Sequence, residues 1–365
     1  MTATMADFFA GGGGSSWGAT LAGARVVFAA DHWDYAVRVH EQNHPGAEHR
    51  LADVASIAPA STPRVDVAWF SPSCTAHTIA QGAYREDDAA ELSRSTMWDV
   101  IRFTEHHAYP VVLVENVVEV ATRWALWGPW RAALTALGYE VRVLSLNSAH
   151  VAASGPAVAQ SRDRLYVVAT RRDVPAPDLD PILHPPAWCD TCTATVTPWR
   201  AWTNTSRVGK WRAGYTYACP ACMSTVEPSM PAGHGLVDFT DLGKPVTDAL
   251  APATRRRISV GVDRYAPDPF IAELRGGGST ARALTEPLAT VTAGGRHHML
   301  ITRQDVNLHY RMLRSDELSA AQGFPTAHVW HGTDADRRRA IGNAVSTNVA
   351  RDLVAAASTA LRGAS

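Results

Sequence analysis

The chain is 365 residues long, 46% hydrophobic and 19% charged, with a formal net charge of −1. Such values suit one large globular domain with a smaller companion and exclude a disordered chain. They give no overall basic footprint, so a nucleic-acid partner would have to meet a local basic face. No apolar stretch approaches the length of a membrane span, and the N-terminus lacks a basic start and cleavage site. A cytoplasmic protein with reduced thiols is expected.

From residue 4 to about 170, short apolar runs alternate with helix-like segments. The runs are T-M-A-D-F-F-A, A-R-V-V-F-A-A-D, V-D-V-A-W-F, P-V-V-L-V-E-N-V, Y-E-V-R-V-L-S-L and R-L-Y-V-V-A-T. Being apolar nearly throughout, they read as strands buried on both faces of a mostly parallel sheet. Helical patterns lie between them, at Asp34–Asn43 and Asp88–His107. The expectation is a doubly wound α/β domain over residues 1–172. After residue 172 Pro, Trp, Cys, Thr and Gly become frequent and no helical period is sustained, which predicts a second, loop-rich domain over 173–300. A C-terminal segment, 301–365, regains order at Asn307–Pro325 and ends in a helix near Asn343–Leu361 that packs back on the first domain.

D-F-F-A-G-G-G-G-S-S-W-G lies between a strand and a helix, where glycines let a ligand approach the backbone and a helix N-terminus presents N–H groups. Asp31 ends the next strand and suits ribose hydroxyls. The spacing departs from the dinucleotide pattern and favours a single nucleoside; a tight turn is the plain alternative. Cys74, in S-P-S-C-T, follows a predicted strand and so stands at a carboxyl end of the sheet, unless it is an inert core thiol. Glu115, in E-N-V, ends the next strand beside it, and a thiol with a carboxyl supplies the parts of nucleophilic and acid catalysis. Arg162 and Arg164, in Q-S-R-D-R, alternate on one side of a further strand and suit a phosphate or a carbonyl oxygen.

In this order these segments resemble the cytosine-C5 methyltransferases, which act on DNA and in one branch on tRNA. D-F-F-A-G-G-G-G is similar to the family's S-adenosylmethionine loop, S-P-S-C-T to its Pro-Cys loop, and E-N-V and Q-S-R-D-R to its glutamate and arginine motifs. R-M-L-R-S-D-E-L-S-A-A-Q-G-F-P and I-G-N-A-V resemble its last two. The likeness covers about 1–170 and 305–360. It implies a Rossmann-like, class I methyltransferase fold, with Cys74 as nucleophile and Glu115, Arg162 and Arg164 around the base. It also implies an S-adenosylmethionine site of Asp7, Phe9, Gly11, Gly13, Asp31, His32, Asp53, Pro72, Asn343 and Val345. The implied partner is double-stranded DNA with a flipped cytosine, for a monomeric bacterial or phage-encoded enzyme, as in restriction-modification. Ser73 and Thr75 replace the family's usual Pro and Gln beside the nucleophile, which puts the shape of that loop in question. Three alternatives stand beside this reading: the same chemistry on tRNA, a modified group from an altered sulfonium donor, and a non-catalytic DNA-binding homologue.

Cys189, Cys192, Cys219 and Cys222 form two C-x2-C pairs 26 residues apart. Four thiolates at such spacing suit a structural, tetrahedral Zn²⁺ in a ribbon of about 186–225. The stretch between the pairs interleaves Arg200, Arg207, Lys210 and Arg212 with Trp and Tyr and holds no acid. That pattern suits phosphate contact and base stacking, or else the core of a small ribbon.

Overall fold

A computed structural model describes residues 2–73, 88–275 and 280–363, the side chains of 88–93 excepted. The chain forms two compact units. One comprises Met1–Ala157, Arg162–Ser229 and Ala344–Ser365; the other comprises Val158–Ser161 and Met230–Asn343. The cysteine ribbon groups with the first unit, and the two units divide near residues 230 and 343. No described helix is long and apolar enough to cross a membrane.

The first unit begins β1 (Thr4–Phe8), α1 (Gly14–Leu21), β2 (Arg25–Asp31), α2 (Asp34–Asn43), β3 (Glu48–Leu51), β4 (Val67–Phe70), α3 (Asp88–His107) and β5 (Val111–Asn116). It continues with α4 (Glu119–Arg123), α5 (Trp127–Ala136) and β6 (Tyr139–Asn147). After β7 (Gln160–Ser161), which belongs to the second unit, it resumes with β8 (Asp163–Arg171) and α6 (Asp180–Leu183). Seven strands make one sheet in the order β3-β2-β1-β4-β5-β8-β6. Only β8 runs against its neighbours, so six strands share a direction. The expected mostly parallel, doubly wound sheet is what the chain forms. Its strand order reverses between β1 and β4, which places a ligand crevice at their carboxyl ends. Every residue of β4 and β5 is buried, as the unbroken apolar runs predict. β3, E-H-R-L, escapes that reading because it is a polar edge strand exposed at its ends.

The last helix, α10 (Thr347–Gly363), lies against α1. A Cβ on Gly14 would stand 2.2 Å from the Val345 carbonyl oxygen, and one on Gly18 would stand 2.4 Å from the Ala350 methyl. Two glycines one turn apart therefore set the close approach of these helices, a packing with no space for a methyl group.

The ribbon strands β9 (Ala187–Cys189), β10 (Ala194–Val196), β11 (Trp199–Trp202), β12 (Tyr215–Ala218) and β13 (Thr225–Pro228) form an antiparallel sheet ordered β10-β9-β13-β12-β11. The second unit holds β14 (Lys244–Pro245), α7 (Pro252–Tyr265), β15 (Phe270–Glu273), β16 (Ala281–Ala283), β17 (Leu288–Ala289), β18 (His298–Gln304), β19 (Asn307–Met312), α8 (Ser315–Ala321) and α9 (Asp334–Asn343). The 14-residue α7 is a departure from the sequence reading, which expects no helical period there. It buries only Ile258 and Gly261, so its charged faces hide the periodicity. Within this unit Gln160 donates to Gln322 Oε1 at 2.8 Å and accepts from the Val291 N–H, and Arg311 grips Glu317 with two bonds of 2.6 and 2.8 Å. These buried pairs explain the Gln of Q-S-R-D-R and much of the R-M-L-R-S-D-E-L segment as fold-holding residues.

Candidate active site

At the carboxyl end of β1 the chain parts Phe8 from Phe9. Phe8 is fully buried and stacks on Phe70 at 4.6 Å. Phe9 has φ +60° and is only half-buried. Gly11 follows with φ +52°, and a Cβ there would meet nothing within 4 Å; Gly13 follows with φ +87°. This left-handed course suits glycine; it leaves open space over Gly11, whereas a Cβ on Gly13 would meet His40 and His44 at 3.2 and 3.3 Å. The Asp31 carboxylate at the end of β2 accepts from Gly11 N–H and Trp33 N–H, both at 2.9 Å, one on each oxygen. Each oxygen keeps lone-pair capacity for a further donor such as a ribose hydroxyl. His32 is exposed, its Nδ1 3.4 Å from Asp31. Asp53 is exposed and caps a short 3₁₀ turn by accepting from Ala55 N–H. Open backbone, an acid at the next strand end and a half-buried aromatic together fit a nucleoside-bearing cofactor such as S-adenosylmethionine.

Asp7 lies beneath this loop with no exposed surface, and its Oδ2 accepts from the Ser15 and Ser16 hydroxyls at 2.6 Å. It is thus a buried support of the loop, not a surface for ligand. Ser16 in turn meets His40 Nε2 at 2.9 Å. Burial raises the Asp7 carboxyl from 3.8 to about 7. Between those values the folded chain keeps a proton that the unfolded chain has released, so stability falls as pH rises across that window. The slope is about 1.4 kcal/mol per pH unit. Asp7→Asn should flatten it, measured as urea midpoints at pH 5 and pH 7; an unchanged slope would exclude Asp7 as the source.

Cys74 lies outside the described residues, but the segment entering its loop does not. Ser71 N–H donates to the Phe8 carbonyl, and the buried Pro72 carbonyl accepts from Asn116 Nδ2 at 3.2 Å. Asn116 also accepts from its neighbour, Val117 N–H, at 2.8 Å. The Asn of E-N-V therefore ties the end of β5 to the chain two residues before the cysteine. Glu115, one residue earlier, is 8% exposed, with Oε1 3.1 Å from Arg164 Nε. Burial raises its pKa and the guanidinium groups of Arg164 and Arg162 oppose the rise, burial being the larger influence. Antiparallel pairing of β5 with β8 brings Glu115 and Arg164 together, with Asn116 opposite Leu165. Arg162 is 2% exposed and donates to the Ala344 carbonyl at 3.0 Å, next to Val345. Its guanidinium is engaged with the C-terminal segment. Asn343, by contrast, ends α9 in the second unit.

The four sulfurs of Cys189, Cys192, Cys219 and Cys222 all lie within 4.8 Å of one another. The Cys189–Cys222 and Cys192–Cys219 separations are 3.5 and 3.8 Å. Zn–S bonds of about 2.3 Å set tetrahedral edges of about 3.8 Å, so the donor set fits Zn²⁺ in type and spacing. Thr193 and Met223, each directly after the second Cys of its pair, take φ +49° and +64°. Two non-glycine residues at matching strained positions mark two equivalent ligand turns.

Arg200 corrects the expectation of a phosphate contact. It is 7% exposed, donates to the Ser145 carbonyl at 2.6 Å and lies 4.9 Å over the Tyr215 ring. Tyr215 and Tyr217 are core residues of the ribbon, whereas Trp199 is exposed. Lys210 pairs with Glu119 at 2.7 Å, and Arg212 pairs with Glu227 at 2.8 Å while covering Trp211. Arg207 is exposed. Sequence reasoning passed over Asp163 and Glu119, both in contact with the ribbon; an acid between two arginines was the available signal for Asp163.

The profile of the C-5 cytosine-specific DNA methylases matches residues 3–191 and 270–358. The chain is 29% identical over 178 residues to the type II methyltransferase M.MthTI of Methanothermobacter thermautotrophicus, a match spanning 48% of this chain and about half (51%) of that relative. In fold it is similar to the Dnmt2 methyltransferase of S. pombe, with TM-score 0.62, 15% identity and 97% and 98% of the two chains covered. It is also similar to a candidate DNA modification methyltransferase of an E. coli prophage, with TM-score 0.59, 17% identity and 99% and 100% covered. The family match extends over most of the sequence, and the chain belongs to the C-5 cytosine-specific DNA methylases.

Proposed function

We propose that the protein transfers a methyl group to C5 of a flipped cytosine in double-stranded DNA through a covalent bond between Cys74 and C6. The observation that carries this reading is the buried Glu115–Arg164 pair at 3.1 Å, joined through Asn116 to the Pro72 carbonyl just before Cys74. The Cys74 thiolate adds to C6 and drives an electron pair toward C5. Glu115, its pKa raised by burial, delivers a proton toward N3 as charge builds there, and Arg164 holds the base carbonyl. S-adenosylmethionine, when bound, supplies the electrophilic sulfonium methyl that C5 attacks. Loss of the C5 proton to water leaves its electron pair to re-form the C5–C6 double bond and expel Cys74 as thiolate, and N3 returns its proton to Glu115. Phe9, Gly11, Gly13 and Asp31 would hold the cofactor, with Asp53, His32 and Val345 at its edges. The four ribbon cysteines would hold a structural Zn²⁺, and Arg207 remains a phosphate contact. Extrusion of the base costs a few kcal/mol, offset by stacking and hydrogen bonds in the pocket.

Duplex DNA containing 5-fluorocytosine, offered with S-adenosylmethionine, should trap a covalent complex visible in the intact mass and absent in Cys74→Ser. The mass increment identifies the transferred group. A complex formed with RNA alone would move the substrate to RNA, and none with either would exclude catalysis.

A further inference from the structure

Between β11 and β12 the ribbon makes an excursion, residues 203–214, that turns toward the sheet of its own unit. The excursion is pinched where Gly209 and Gly214 meet: a Cβ on either would stand 2.8 or 2.6 Å from the other's Cα. Val208, at its tip, is buried in the core cluster formed by β4, β5 and β8. Three polar bonds then fasten it. Gly209 N–H donates to Ser145 Oγ at 3.1 Å, Lys210 Nζ to Glu119 Oε1 at 2.7 Å, and Trp211 N–H to Asp163 Oδ1 at 2.9 Å. Two of the acceptors flank the reactive pair in sequence. Glu119 follows Glu115 by one turn of chain and opens α4. Asp163 stands between Arg162 and Arg164 at the start of β8. Glu119 is buried and Asp163 half-buried, and the Lys210 ammonium that pairs with Glu119 also opposes the rise that burial causes in the Asp163 pKa.

We infer that Lys210 and Asp163 are positioning residues: through them the ribbon fixes the two strand ends that bring Glu115 and Arg164 together. The inference rests on the proposed methyl transfer and deepens it, since it moves Lys210 from the DNA face to the catalytic frame. A buried carboxyl and a guanidinium must be held to a fraction of an ångström, and displacement by about 1 Å costs on the order of 10²-fold in rate. Without Lys210, Glu119 loses its cation and the excursion keeps only its two backbone N–H bonds, to Ser145 and Asp163.

The test uses the full chain and three variants, Lys210→Ala, Lys210→Arg and Asp163→Asn, in methyl transfer to a duplex oligonucleotide. The inference expects Lys210→Ala to lower kcat by about 10- to 100-fold with KM for DNA within about threefold. Lys210→Arg should regain most of the loss, because it restores a cation to Glu119. The salt dependence of DNA binding should stay the same, whereas loss of a phosphate contact would reduce its slope by about one. Hydrogen–deuterium exchange of 115–119 and 162–165 should rise in Lys210→Ala and Asp163→Asn without any reaction being run. Unchanged kcat with raised KM and a shallower salt slope would make Lys210 a phosphate contact and overturn the inference. Unchanged exchange in both variants would overturn it too. A wild-type chain without turnover, but with the exchange response, would sink the methyl-transfer reading and leave the structural coupling standing.

Discussion

Glu115→Gln is expected to lower kcat by about 10²- to 10⁴-fold, the contribution of a well-placed general acid. Glutamine keeps the shape and one acceptor oxygen, so the sheet should tolerate it. It has no acidic proton to give at N3 and a single oxygen for Arg164, whose Nε lies 3.1 Å from Glu115 Oε1. The pH dependence distinguishes this role from a packing role. Burial raises the pKa of Glu115 from the ordinary carboxyl value. The acid form is the working form, so kcat in the wild type should fall as pH rises through that raised value. In Glu115→Gln that descending limb should be absent. Equilibrium binding of DNA should change less than about threefold, since the lost interaction belongs to the transition state. A variant that keeps more than a tenth of wild-type kcat would remove Glu115 from the chemistry.

Metal removal is the second large effect. Purified protein should carry one zinc per chain, measured by plasma mass spectrometry, and chelation should melt the ribbon. Structural zinc supplies about 10–16 kcal/mol of apparent binding free energy in small domains. The ribbon core consists of little beyond Ala187, Val226, two tyrosines and the cysteines themselves, which cannot replace that contribution. Cys219→Ser should act like chelation, because Cys219 is fully buried and a serine there binds zinc poorly. The near-ultraviolet circular dichroism of Trp202, Trp211, Tyr215 and Tyr217 provides the readout. Metal-free protein with an unchanged spectrum would refute the site.

The methyltransferase half is legible in the sequence because its signals are local. Buried parallel strands are nearly uninterrupted apolar runs, so six of the seven sheet strands stand out, and α2 and α3 occupy the predicted residues. β3 was missed since an edge strand need not be apolar. α7 was missed since a helix with only two buried positions has no apolar stripe. In the site, Glu115 and Arg164 were legible from their motifs. Arg200 was misread because composition reports that a basic residue is present but not which way it faces. Packing under Tyr215 decides that, and it depends on contacts 55 residues apart in the chain. Asp163 and Glu119 were passed over for the same reason: their partner lies in a distant loop.

The division of the backbone limits how such proteins can exchange parts. The second unit draws its first four residues, Val158–Ser161, from a point far upstream, and β7 within them pairs in parallel with β17. A graft of Met230–Asn343 alone would leave the donor's β17 beside a host strand of foreign sequence. It would also separate Gln160 from Gln322, its hydrogen-bonding mate. A working chimera must carry both pieces and leave the cysteines with the host.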